Sequence, residues 1–167
     1  MPASSRSSLK DSFFDKHLPP EQLYDELNYE NLEEAYEIAK ENSFEGCRTL
    51  IILDDVQKDL KGECEKLFLS MVNNRRHARL SMWLCAQNYF SIPKQCRSGL
   101  TDLFIFKASK KEMEQIFIET VETHKDKFLE ILGKCYKEPH SFLYINPNSQ
   151  RIFSSWDELI ILSDDSI

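Results

Sequence analysis

The sequence predicts an α/β fold built on a parallel central sheet, and three observations carry the prediction. Continuous apolar runs bounded by polar residues occupy positions 49–53 and 80–86, the pattern of strands buried on both faces of a parallel sheet. Between them Cys64, Leu67, Phe68, Met71 and Val72 supply a helical stripe, so the order is strand, helix, strand with a right-handed crossover. A pair of carboxylates, Asp54 and Asp55, follows the first run directly, at the strand end where open α/β sheets bind ligands.

The remaining elements follow in order. Residues 1–12 hold five Ser and no periodic apolar residue; they are expected to be a flexible start, ahead of a domain over 13–162 and a tail at 163–167. Pro19-Pro20 suits a helix entry, and Leu23 and Leu27 begin a spacing of four, which predicts a short helix. Leu32, Ala35, Tyr36 and Ala39 then repeat at helical spacing, with Glu33, Glu34, Glu37 and Glu41 opposite and Gly46 as the stop. These are acidic N-terminal helices. Asn73-Asn74 reads as the turn before the second strand, which ends in Gln87. Leu103, Phe104, Ile105 and Phe106 read as a third strand of the same parallel sheet, followed by a helix with Met113, Ile116, Phe117, Thr120 and Val121 inward. Phe128, Leu129 and Leu132 predict a further helix stopped by Gly133 in a left-handed cap. Residues 141–145 and 151–154 flank Asn146-Pro147-Asn148-Ser149, a C-terminal β-hairpin.

With 167 residues, 41% hydrophobic and 29% charged, one soluble domain with one core is expected. No apolar run approaches the roughly 20 residues that span a bilayer, and no apolar stretch follows Arg6 as in a secretory leader. The expectation is a cytoplasmic, non-secreted protein without a membrane partner. Five cysteines lack any Cys-x-x-Cys spacing, which argues against disulfides and zinc; Cys85, inside an apolar run, reads as a small core hydrophobe. Residues 1–45 carry 4 Lys/Arg against 11 Asp/Glu, and residues 46–167 carry 17 against 17. The whole deficit of −7 therefore lies in the first quarter, and a global basic footprint for nucleic acid is absent.

The chemistry concentrates at Asp54-Asp55. Two acids after four aliphatic residues have the form of a Walker B motif, in which the first holds Mg²⁺, usually through water, and the second polarises the attacking water. Acids also follow strands as plain turn or cap residues. Gln87 ends the next strand, so its amide lies at the same sheet edge, where such a group can orient water or sense phosphate. Asn73-Asn74-Arg75-Arg76-His77-Ala78-Arg79 is the strongest local positive patch. It suits an arginine finger offered to a neighbour, phosphate contacts to nucleic acid, or a solvated basic turn. A phosphate cradle of the form Gly-x-x-x-x-Gly-Lys-Ser/Thr is absent. Only Gly133 among the four glycines precedes a Lys, and there Cys135 replaces the hydroxyl residue and Phe128 the first glycine.

Leu50-Ile51-Ile52-Leu53-Asp54-Asp55, Arg76-His77, Gln87, the string Tyr89-Phe90-Ser91-Ile92-Pro93-Lys94 and Arg97 occur in one order. That order resembles the genome-packaging ATPases of poxviruses and other large DNA viruses, in the FtsK–HerA superfamily of P-loop translocases. The resemblance runs from about Phe13 to Leu162 and implies a partial P-loop NTPase core of the RecA/FtsK type. It implies Asp54 for Mg²⁺, Asp55 as catalytic acid, Gln87 as γ-phosphate sensor, and Arg76 as arginine finger with Arg97 a second candidate. It implies ATP as cofactor and ATPase subunits, double-stranded DNA and the capsid as partners, in a viral factory or virion. Family members carry the phosphate-binding loop upstream of a region like this one. The chain is therefore expected to be either the downstream part of a split or truncated gene or a product that has lost independent catalysis, inactive alone. The alternative is a non-catalytic module that docks on an intact ATPase subunit or a capsid component.

Overall fold

The structure is a computed structural model that describes residues 2–4, 13–56, 58–121 and 125–159. Residues 5–12 of the expected flexible start and the tail at 163–167 lie outside the described residues. Two compact units divide the chain, Met1–Gly99 and Leu100–Ile167.

The first unit holds a parallel sheet of β1 (Pro2–Ser4), β2 (Thr49–Asp54) and β3 (Leu80–Cys85), in that order. Its helices are the short α1 (Phe13–His17), α2 (Tyr29–Phe44), α3 (Glu63–Asn74) and α4 (Lys94–Arg97). β2 is central, with Ile51, Ile52 and Leu53 buried, as its continuous apolar run requires. Pro2–Ser4, expected within a structureless start, pairs with Ile52, Leu53 and Asp54; three residues are too few to show a period.

Helix α2 buries the predicted face, Leu32, Ala35, Tyr36 and Ala39. Asn28 caps it, its side-chain oxygen accepting from the Asn31 amide at 2.8 Å, a bond that typically stabilises a helix by about 1 kcal/mol. Gly46, at φ +82°, closes the other end, where Gly46 and Cys47 amides donate back to the Ser43 and Asn42 carbonyls. The short helix expected around Leu23 and Leu27 is replaced by a single 3₁₀ turn, Pro20–Gln22. Leu27 instead precedes the cap, and with Leu32 it occupies the two positions of a hydrophobic staple; both line a small apolar gap with Ala35, Ile51 and Leu53.

Helix α3 buries Phe68 and Met71 and runs through Asn73-Asn74, so the turn falls at 75–79 instead. β3 departs from expectation. Leu80 is buried, but Ser81, Trp83 and Cys85 are exposed, the alternation of a strand with one face uncovered; β3 is also the edge strand among the described residues. An apolar run does not reveal whether both faces are covered. Cys85 is thus no core hydrophobe, and the buried thiols are Cys96 and Cys135; all five cysteines are free.

The second unit is a two-layer arrangement of β4 (Leu103–Ile105), α5 (Lys110–Thr120), α6 (Lys125–Cys135), β5 (Leu143–Asn146), β6 (Arg151–Ser154) and β7 (Asp157–Leu159). The strands form one antiparallel sheet in the order β4-β5-β6-β7. The predicted hairpin is β5-β6, with Leu143 opposite Ser154 and Asn146 opposite Arg151. The third parallel strand is not formed. Leu103, Phe104 and Ile105 pair antiparallel with Ile145, Tyr144 and Leu143. Leu103 and Ile105 are buried while Phe104 and Phe106 are exposed, the period of two that marks a sheet covered on one side.

Met113, Ile116, Phe117, Thr120 and Val121 are buried as expected. Ser109 caps α5 through the Glu112 amide. Phe117 meets Phe128 edge to face, with ring centroids 4.5 Å apart. Gly133 lies inside α6 and caps nothing; the helix continues to Cys135. Its inner stripe is Phe128, Ile131 and Cys135, with Leu129 43% exposed, since spacings of three and four beat adjacency in choosing a helical face. No helix among the described residues is long and apolar enough to cross a membrane.

Candidate active site

Parallel strands bring their C-terminal ends to one edge of the sheet. Asp54, the last residue of β2, stands opposite Ser4 of β1 and Cys85 of β3. Its side chain is partly exposed at that edge. Asp55 follows with φ 55°, a left-handed conformation that Asp tolerates better than most residues. Its amide donates to the Cys85 carbonyl at 3.1 Å, which fastens the turn to β3. Although Cys85 as a residue is exposed, its thiol is partly shielded, and that partial burial first, then the Asp54 carboxylate, pushes it above its ordinary value.

Gln87 sits in the bend two residues past β3, exposed, at the same edge as Asp54. The segment beyond it is built from within. The Asn88 side chain accepts from the Phe90 amide at 2.7 Å and its carbonyl from the Ser91 hydroxyl at 2.5 Å, giving a 3₁₀ turn at Tyr89–Ser91. Arg97 of α4 lies with its guanidinium 4.9 Å from the Tyr89 ring and 5.9 Å from the Phe90 ring. Its Nη1 donates to the Tyr89 carbonyl at 3.5 Å. Arg97 is therefore engaged by its own loop. Gly99 ends this segment against α3, where a Cβ would meet Val72 Cγ1 at 2.7 Å.

The basic turn lies at the other end of the sheet. The Thr49 amide donates to the Arg79 carbonyl at 3.2 Å, and Leu80 pairs with Thr49, so residues 75–79 adjoin the strand beginnings. Five residue steps separate Leu80 from Cys85, roughly 17 Å of strand. The three arginines differ in their surroundings. Arg75 donates to the Val72 carbonyl at 2.5 Å and Arg79 to the Gly46 carbonyl at 2.6 Å. Arg76 is exposed.

Asp54, Asp55 and Gln87 thus share one edge, Arg97 braces the loop beyond it, and Arg76 stands at the opposite edge. The carboxylate oxygens of Asp54 suit Mg²⁺, a hard cation that takes one or two carboxylates together with phosphate oxygens. No cluster of three or more His, Cys, Asp or Glu able to hold a metal by itself occurs among the described residues. Among the described residues the phosphates find no counterpart cradle: Gly133 and Lys134 are helical, and the sequence holds no Gly-x-x-x-x-Gly-Lys motif. Exposed Trp83 escaped sequence reasoning, as did the Tyr89–Arg97 stack. The first is hidden in a continuous run, and the second depends on a turn that only Asn88 announces.

An α/β unit with paired acids at the tip of its central parallel strand has the layout in which open α/β sheets bind ligands. The family model described as Poxvirus A32 protein matches residues 14–164, and the chain belongs to that family. No curated protein matches the sequence significantly. Among solved structures, the chain is similar to the genome packaging NTPase B204 from Sulfolobus turreted icosahedral virus 2 in complex with AMP. That match has 16% identity and a TM-score of 0.63, covering 96% of this chain and 83% of that one. It is also similar to B204, the DNA-packaging ATPase from Sulfolobus turreted icosahedral virus, at 15% identity and a TM-score of 0.67 over 91% and 80% of the two chains. The fold is that of viral genome-packaging NTPases.

Proposed function

We propose that this chain supplies the acidic, metal-handling half of a packaging-NTPase site, and that the phosphate-binding loop comes from a polypeptide segment outside these 167 residues. The observation that carries the reading is the placement of Asp54 and Asp55 at the C-terminal tip of β2, with Gln87 at the same edge. A similar structure binds AMP, another AMPPCP, which supports a nucleotide as ligand here. Mg²⁺, when bound, would offset charge on the phosphoryl oxygens. Asp54 would hold it, Asp55 would orient and polarise a water, and Gln87 would contact the terminal phosphate.

Arg76 fits this scheme only in trans. It lies at the far end of the strands from its own Asp54, and Arg75 and Arg79 are committed to carbonyls of their own chain. Arg97 ranks behind it because its guanidinium is stacked on Tyr89. Ring assembly with other ATPase subunits and translocation of double-stranded DNA into a capsid complete the proposal.

The second reading, a non-catalytic module docked on an intact ATPase subunit or a capsid component, is favoured by one feature. β3 is unpaired on its outer edge among the described residues, and its uncovered face carries Trp83, 60% exposed. An open edge invites an added strand, and an exposed ring on the adjoining face would pack against it. The two readings separate on one experiment: co-expression with a full-length ATPase of the family, followed by turnover of the mixed complex. Loss of the added turnover with Asp54→Ala in this chain supports the first reading, and unchanged turnover supports the second.

A further inference from the structure

Gln87 is exposed, two residues past β3, so its place at the acidic edge depends on the backbone to either side of it. On one side β3 ends at Cys85, whose carbonyl accepts from the Asp55 amide at 3.1 Å. On the other side Asn88 is extended, at φ −146° and ψ 131°, and its side-chain oxygen accepts from the Phe90 amide at 2.7 Å. Tyr89 follows and is the first residue after β3 to be buried. Two residues of chain join Gln87 to Tyr89, at most about 7 Å between Cα atoms. Whatever holds Tyr89 therefore holds Gln87.

Arg97 holds Tyr89. Its guanidinium lies 4.9 Å from the ring, inside the distance of about 6 Å at which a cation is attracted to a ring face. Its Nη1 donates to the Tyr89 carbonyl at 3.5 Å, which also accepts from the Ile92 amide at 3.2 Å. Arg97 is anchored in turn. Its amide donates to the Pro93 carbonyl at 3.1 Å, Cys96 beside it is buried, and Gly99 lies against Val72 of α3. A continuous path of contacts thus runs from α3 through α4 to Tyr89 and ends two residues from Gln87. The same contacts argue against an arginine finger here, because the guanidinium would have to leave both rings and its own carbonyl to reach a neighbour's phosphate.

We propose that Arg97 is a positioning residue for Gln87 of its own chain: by clamping Tyr89 it sets where the Gln87 amide stands relative to the terminal phosphate. The inference rests on the nucleotide site proposed above at Asp54 and Asp55. A group misplaced by about 1 Å at a reacting centre can lose on the order of a hundredfold in rate, and an exposed amide without a brace has that freedom. The loss falls on turnover and not on nucleotide affinity, since Asp54 and the phosphate-binding loop are untouched.

Two measurements test it. In the purified chain, the Phe90 and Ile92 amides should exchange hydrogen at least roughly tenfold faster in Arg97→Ala, with Ile51, Ile52 and Leu53 unchanged. Arg97→Lys keeps a cation for the ring and should recover part of the protection. Unchanged exchange in Arg97→Ala overturns the proposal whatever the site does. In the mixed complex with a loop-bearing ATPase subunit, Arg97→Ala should lower kcat by about 10- to 100-fold with KM nearly constant, as Gln87→Ala does. The double variant in one chain should be no worse than the worse single. Losses that multiply would mean that Arg97 acts independently of Gln87; they overturn this inference alone, as does a kcat that ignores either single change. Turnover indifferent to Asp54→Ala would remove the nucleotide site itself, and this inference with it.

Discussion

Asp54 and Cys85 stand opposite one another at the paired ends of β2 and β3, and the carboxylate adds to burial in raising the thiol above its ordinary range. The thiol therefore reports on the acid. Alkylation of Cys85, followed by peptide mass mapping against pH, should reach its half-maximal rate above the value near 8.5 of a free thiol. Asp54→Asn removes a negative neighbour, which eases formation of the thiolate, so the midpoint should move down. A midpoint that ignores the substitution would separate the two side chains.

Gly99 is the point of closest approach between the segment after β3 and helix α3. Gly99→Ala places a methyl group 2.7 Å from Val72 Cγ1, and overpacking of this kind costs about 1–3 kcal/mol. Thermal denaturation should show a midpoint lower by several degrees, and Gly99→Ala with Val72→Ala should recover part of it. An unchanged midpoint in the single variant would mean that the loop gives way without cost.

The inner face of α6 gives a paired comparison. Ile131→Ala removes a side chain that is 6% exposed and should cost about 2–5 kcal/mol. Leu129→Ser changes a residue that is 43% exposed and should cost much less. Urea titration of both variants decides the matter, and equal losses would contradict the placement of the stripe.

How far the sequence could be read depended on how each element is covered. Helix α2 and strand β2 were legible because each has one unambiguous pattern, an i, i+3, i+4, i+7 stripe in one and an apolar run ending in acid in the other. β3 looks the same as β2 in sequence, yet Trp83 and Cys85 face outward, because whether a strand's second face is covered is decided by the packing of other elements and no local apolar run reports it. β4 belongs to a different sheet from the one its sequence suggests for a related reason: its alternation, Leu103 and Ile105 in, Phe104 and Phe106 out, is present but short. Of the site, the shared edge of Asp54 and Gln87 followed from parallel strands alone. The separation of Arg76 from that edge also follows from topology, since a turn that precedes a parallel strand cannot lie beside the acid that ends its neighbour.

Arg76 and Arg97 should part in their effects. Arg97→Ala removes a guanidinium stacked on Tyr89 and should lower the thermal midpoint, with a loss of about 0.5–2 kcal/mol for the cation–π contact. Arg76→Ala changes an exposed turn residue and should leave the midpoint within a degree or so. In a mixed ATPase complex the order should reverse, with Arg76→Ala the more damaging to turnover. Equal thermal losses would show that the turn at residues 75–79 leans on Arg76.

The most direct test of the central claim is Mg-ATP binding and hydrolysis by the purified 167-residue chain, with nucleotide-dependent thermal stabilisation as the binding readout. The account predicts no turnover and no appreciable shift for the chain alone, and turnover that depends on Asp54 once a loop-bearing ATPase subunit is added. Hydrolysis by the chain alone, abolished by Asp54→Ala, would contradict it, because the chain would then build a complete phosphate site of its own.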